Sequence, residues 1–158
     1  MRSSYARSPK GQPAYRCESY RPEGKVNLLA CMSLDGVIAP WIIQGGTINT
    51  SVFSYYLEHI LCPHLRPGQI LVLDNYPVHK AAIVAALLHK RDCKLMFLPT
   101  YSPDLNPIEL LFAKLKANLR RTSASTLDAL NHAIHATLKH LDLPELINWF
   151  RHCGYVVF

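Results

Sequence analysis

The chain has 158 residues, 49% apolar and 18% charged, with 11 prolines, 7 glycines and a formal net charge of +6. So much apolar content excludes a disordered chain, the few glycines exclude a collagen-like repeat, and the length suits one globular domain, for which ~100 to 200 residues is usual. The longest apolar run, Ala81 to Leu88, falls short of the roughly 18 residues of a membrane span, and MRSSYARSPKGQ lacks the apolar core of a secretory signal.

Residues 1–25 carry six basic and two acidic side chains with no apolar period, which predicts an irregular basic arm ahead of a folded part over 26–158. VNLLACMS and VIAPWIIQG then flank Asp35-Gly36. That junction predicts a hairpin with a type I′ turn, whose two central residues need positive φ. Pro40 places the second strand at a sheet edge. From Asn49 or Thr50, the residues Val52, Phe53, Tyr56, Leu57, Ile60 and Leu61 recur at spacings of three and four, predicting a helix that ends near Pro63.

Pro67-Gly68 turns the chain into QILVLDN, a short continuous apolar run expected to form a strand buried on both faces. HKAAIVAALLHKR, from His79 to Arg91, reads as a helix, and KLMFLP as a second buried strand. Strand, helix, strand is a βαβ unit with parallel strands, so the fold class is α/β. LPTYSPDLNP is expected to be extended because of its prolines. Beyond it the chain is helical: Ile108, Leu111, Phe112, Leu115 and Leu119 form one apolar stripe, and Leu127, Leu130, Ile134, Leu138 and Leu141 another. A short last helix holds Leu146, Ile147 and Phe150.

Two acids carry the chemistry. Asp74 follows ILVL at the end of a strand, where α/β sheets commonly bind ligands, although an N-cap or turn role would also account for it. Glu109 closes Asn106-Pro107-Ile108-Glu109, which is close to a capping box, and capping alone would explain it. The two roles are compatible, because a carboxylate at a positive helix terminus stays ready for a cation. Hard cations such as Mg²⁺ take one or two carboxylates and keep positions open for water and phosphate oxygens. Lys114, Lys116, Arg120 and Arg121 give residues 110–121 a charge of +4 with no acid, and with the arm they suggest a polyanion partner. Five widely spaced cysteines without a CxxC pair point to reduced thiols in an intracellular protein.

LVLDNYPVHK followed by LMFLPTYSPDLNPIELLFAKLKANLRR resembles the catalytic domain of the mariner-like and insertion-sequence DDE transposases. The 34 residues between Asp74 and Glu109 (109 − 74 − 1) match the family's spacing between its second and third catalytic acids. YARSPKGQ, NLLACMSLDGVIAP, GGTINTSVF and the C-terminal WFRHCGY also resemble family features. The resemblance implies a ribonuclease H-like fold, a mixed sheet with flanking helices. It also implies two Mg²⁺ or Mn²⁺ ions and an activity in which water, then a freed 3′-hydroxyl, attacks DNA phosphodiesters. Asp74 and Glu109 would then be the second and third metal-binding acids. Asn75 and His79 would line the site, while Lys114, Lys116, Arg120 and Arg121 would contact DNA. Partners implied are DNA and a second copy or a full-length transposase. The protein would act in the nucleus of a eukaryote or the cytoplasm and nucleoid of a bacterium.

In the family the first acid lies on a central strand upstream of the YARSPKGQ arm, so this chain is expected to lack that strand and acid and to be inactive alone. The hairpin would then pair directly with the Asp74 strand, or the arm would fill the gap, or the fold would be weak. Asp35 belongs to the hairpin turn and does not stand in for the first acid. The family's helix-turn-helix module is also missing, so sequence-specific DNA binding is not expected. The alternative function is a non-catalytic remnant that binds DNA or pairs with transposase. His132, His135, His140 and His152 have no acid or cysteine at ligand spacing and are read as surface or core residues.

Overall fold

The computed structural model describes residues 26–122 and 126–157, and the arm expected over 1–25 lies outside them. The chain separates into two units, one within Gly24–Leu110 and Leu141–Phe158, the other within Leu111–His140.

In the larger unit, β1 (Val26–Ser33) and β2 (Gly36–Gln44) form the expected antiparallel hairpin. Its turn differs from the type I′ expectation. Ser33 pairs with Gly36, so Leu34 and Asp35 are the central residues, and neither has positive φ. The Asp35 N–H donates to Ser33 Oγ at 3.2 Å, and Gly36 follows at φ 145°. A serine able to hold the turn and a glycine after it favour this common turn over the mirror-image one. Farther along, Leu29 faces Trp41 and Cys31 faces Ile38, so β2 carries an extra residue, and Ala39 adopts φ 52° beside Pro40. This β-bulge accommodates the proline, which has no N–H for a ladder.

Asn49 opens α1 (Thr50–Tyr55), its Oδ1 accepting the Val52 N–H at 3.0 Å. The helix continues as a π-helical segment, Tyr56–Leu61, and a 3-10 turn, Cys62–His64, that contains Pro63. Phe53, Tyr56, Leu57 and Leu61 from this rod meet Leu71, Val84, Leu87 and Leu88 in one buried cluster. Leu29, Cys31, Ile38 and Trp41 of the hairpin pack on the same cluster, with Trp41 stacked over Tyr56 at 6.2 Å.

β3 (Ile70–Leu73) and β4 (Lys94–Phe97) are parallel and joined through α2 (Ala82–His89), as expected of a βαβ unit. Three expectations need correction. First, the strands are not buried on both faces: Leu71, Leu73 and Leu95 face the core, while Ile70 and Met96 on the other face are 51% and 52% exposed. A continuous apolar run does not by itself specify what covers its second face. Second, the helix expected from His79 begins only at Ala82, because Ala81 is extended at ψ 136° and Pro77–Lys80 form a separate 3-10 turn. Third, of the three alternatives left open for the hairpin, direct pairing with the Asp74 strand is not the one adopted: the described strands form two separate two-stranded sheets, β1-β2 and β3-β4.

The LPTYSPDLNP segment is not simply extended. Pro103–Leu105 form a 3-10 turn, and Tyr101 sits at φ 59°. α3 (Pro107–Thr122) starts in the larger unit and continues into the smaller one, where α4 (Leu127–Lys139) follows. Asn118 of α3 donates to the Thr137 hydroxyl of α4 at 3.3 Å. α5 (Leu143–His152) returns to the larger unit, capped by Asp142, which accepts the Glu145 N–H at 2.8 Å. Cys31, Cys62, Cys93 and Cys153 are free thiols. No described helix is long and apolar enough to cross a membrane.

Leu57 is fully buried at the centre of the cluster. Leu57→Ala should therefore cost about 2–5 kcal/mol of unfolding free energy through lost transfer and a residual cavity. Denaturant melts of both proteins, with the slope unchanged, would check this.

Candidate active site

Because β3 and β4 are parallel and in register, with Leu73 opposite Phe97, the chain leaves both strands at one edge of the pair. Two bonds fasten these exits. The Leu98 N–H donates to the Leu73 carbonyl at 2.9 Å, extending the ladder past β4. Asn75 Nδ2 then donates to the Leu98 carbonyl. Asn75, expected to line the site, is thus a clip between the segments that follow the two strands.

Asp74 stands beside that clip with its side chain 53% exposed. Its Oδ1 accepts the Tyr76 N–H at 3.0 Å, an Asx-turn that bends the chain out of the strand. The same Oδ1 lies 2.7 Å from His79 Nδ1, and with the carboxylate as acceptor Nδ1–H is the donor. His79 reaches it because Pro77–Lys80 form a tight turn rather than the start of α2. The imidazole is seated against the buried Phe53 ring at 4.5 Å and edge-on to Tyr76 at 5.8 Å. Both bonds fall on Oδ1, and Oδ2 has no protein partner among the described residues.

Glu109 lies in the first turn of α3 and is exposed. What ties it to Asn106 is backbone: the Glu109 N–H donates to the Asn106 carbonyl at 3.1 Å. Its carboxylate makes no hydrogen bond or ion pair among the described residues, and its charge suits the helix N-terminus. Asp74 and His79 are joined directly and Asn75 is the next residue along, whereas Glu109 is bonded to none of the three.

On α3, Lys116, Arg120 and Arg121 are exposed and Lys114 is half-buried. Lys116 and Arg120 are four residues apart and share a helix face. Arg120 and Arg121 occupy the last turn, where a cation complements the helix dipole.

As a metal site, the described residues offer part of what a hard cation takes. No three His, Cys, Asp or Glu side chains converge among them. Asp74 presents one anchored and one open carboxylate oxygen, and Glu109 an unengaged carboxylate. Such donors fit Mg²⁺ or Mn²⁺, which accept few carboxylates and fill the remaining positions with water or phosphate.

Comparison with known proteins gives the family and the fold. The family described as DDE superfamily endonuclease matches residues 1–131. The chain belongs to that family. The Tcb1 transposase of Caenorhabditis briggsae is 31% identical over 118 residues, 72% of this chain and 43% of that protein. The Tc1 transposase of Caenorhabditis elegans is 29% identical over 139 residues, 80% of this chain and 49% of that one. The chain thus spans less than half the length of these relatives. Among solved structures, the catalytic domain of the Mos1 mariner transposase superposes with a TM-score of 0.62 at 19% identity, covering 82% of this chain and 73% of that one. The Mos1 strand transfer complex gives 0.67 at 23% identity, over 94% and 45%. The fold of this DDE endonuclease relative is accordingly the ribonuclease H-like mixed α/β fold.

Motifs do not announce two features of the site: the Phe53 ring that seats His79 and the Leu98 carbonyl that receives Asn75. Phe53 is legible only as a core residue, and a backbone carbonyl leaves no trace in a sequence. Asn75→Ala should leave that carbonyl without its donor and cost about 1–3 kcal/mol. The expected drop in thermal midpoint, measured beside a surface Asn148→Ala control that stays near wild type, checks the clip.

Proposed function

We propose that this chain contributes a carboxylate pair, Asp74 and Glu109, to a divalent-cation site that acts on DNA phosphodiesters, within a DDE transposase catalytic domain over 26–158. The observation that carries the reading is the state of Asp74: one oxygen is tied down by His79 and the Tyr76 amide, while the other is open at the edge where β3 and β4 end. A carboxylate serving only as a turn former would not need a histidine seated on a core phenylalanine to fix its orientation.

When bound, a pair of Mg²⁺ or Mn²⁺ ions would activate an attacking oxygen and stabilise the leaving one. Asp74 would hold such an ion through Oδ2, and the His79 bond would keep the carboxylate from rotating away. Glu109 would supply a second carboxylate from the α3 terminus. A third protein ligand, if used, comes from outside the described residues. Lys114, Lys116, Arg120 and Arg121 would meet the phosphate backbone, consistent with relatives that are transposases and a fold neighbour solved as a strand transfer complex. Neighbours solved with Mg and with Mn support the choice of ion. A second copy of the chain, or a longer transposase, would complete the assembly.

Two observations favour a second reading, a non-catalytic DNA-binding or transposase-pairing protein. The described strands form two unjoined sheets, and no three ligating side chains converge among the described residues. Plasmid nicking with Mn²⁺, assayed on a version of the chain extended upstream through the first acid, separates the readings. Nicking that Asp74→Asn abolishes supports the nuclease, whereas salt-sensitive DNA binding without nicking supports the alternative.

Asp74→Asn should weaken Mn²⁺ binding, followed by electron paramagnetic resonance, at least about tenfold, since the open oxygen loses its charge. Unchanged binding would overturn the metal role. Arg120→Ala with Arg121→Ala should weaken binding to unrelated DNA sequences alike and lower the slope of log affinity against log salt by about 0.9 for each phosphate that is no longer neutralised. Fluorescence anisotropy over a salt series measures that slope.

A further inference from the structure

The C-terminal WFRHCGY segment has no part in the site described above, yet its last residue reaches the turn that precedes the helix carrying Glu109. α5 ends in a Schellman motif. The Tyr155 N–H donates to the Phe150 carbonyl at 3.0 Å and the Gly154 N–H to the Arg151 carbonyl at 3.0 Å, with Gly154 at φ 86°. Only that left-handed turn brings the chain back over its own helix, and the Tyr155 ring settles edge-on against Phe150 at 5.5 Å. Its hydroxyl then donates to the Leu105 carbonyl at 3.1 Å, across fifty residues of sequence.

Leu105 ends the Pro103–Leu105 turn, and the next residue, Asn106, accepts the Glu109 N–H. Burial first, and then the nearby Asp104 charge, raise the pKa of the Cys153 thiol. Burial, then the Cys153 thiol, raise that of the Tyr155 phenol. Leu105, Asn106, Glu109, Phe150 and Tyr155 all belong to the larger unit.

The geometry points to Tyr155 as a positioning residue for Glu109: a latch from the C-terminal turn that fixes the carbonyl just before α3 and so sets where the helix and its first-turn carboxylate begin. The inference rests on the metal role proposed for Glu109, but the latch can be tested without it. Tyr155→Phe removes one oxygen and keeps the ring on Phe150. Amide hydrogen exchange in the first turn of α3 should accelerate roughly tenfold, the size one net hydrogen bond supports, while α2 is unchanged. Phe150→Leu, which loosens the seat of the ring and keeps the hydroxyl, should reproduce part of that acceleration and serves if Tyr155→Phe fails to fold.

Mn²⁺ affinity should fall several-fold in Tyr155→Phe, and adding this change to Glu109→Gln should cause no further loss. Unchanged exchange at α3, or a loss that persists in full on the Glu109→Gln background, overturns the latch. If Glu109→Gln itself leaves Mn²⁺ binding intact, the metal role of Glu109 fails, and the exchange result still decides whether Tyr155 holds the helix start.

Discussion

The parallel pairing of β3 with β4 is the constraint on which the candidate site depends. Parallel strands leave the sheet at the same edge, so the residues after Leu73 and those after Phe97 become neighbours although more than twenty positions separate them in sequence. Everything local to Asp74 elaborates that fact. The ladder runs one residue further to Leu98, Asn75 ties the same residue through its carbonyl, and Asp74 turns outward with its orientation fixed by His79. If the strands were antiparallel, Leu98 would emerge at the far end of β3, and Asn75 would have no carbonyl to reach.

A second theme is how a polar site is supported by an apolar core. His79 touches Asp74 on one side and Phe53 on the other, and Phe53 is part of the cluster that includes Leu57, Leu71 and Leu88. The imidazole therefore passes the order of the core to a carboxylate that is itself half in solvent. An exposed acid held only by its own backbone turn would sample several rotamers. Here one oxygen has a defined place, and the other is left for an external partner.

Much of this is legible in the sequence, and the parts that are not have physical causes. The βαβ unit, the hairpin, the Asn49 start of α1 and the placement of Asp74 and Glu109 at element ends follow from apolar periodicity and turn chemistry. Motif resemblance carries the family assignment. The start of α2 is obscured because HKAAIVAALLHKR has good helix formers throughout, while Pro77 favours a tight turn that finishes before Ala81. An apolar run suggests burial of β3 on both faces, yet nothing in that run encodes what lies over Ile70 and Met96. The hairpin turn misleads because Asp-Gly is a strong signal, and Ser33 shifts the register by one residue. The tie between Tyr155 and Leu105 joins a side chain to a backbone carbonyl, so no residue pattern announces it.

The kink at Ala39 and Pro40 has a consequence for the hairpin as a surface. An outer strand that lacks an N–H at Pro40 and bends at its neighbour cannot serve as an even template, so a foreign strand zipping along β2 would meet a missing donor and a change of direction midway. Unwanted aggregation is discouraged on that side.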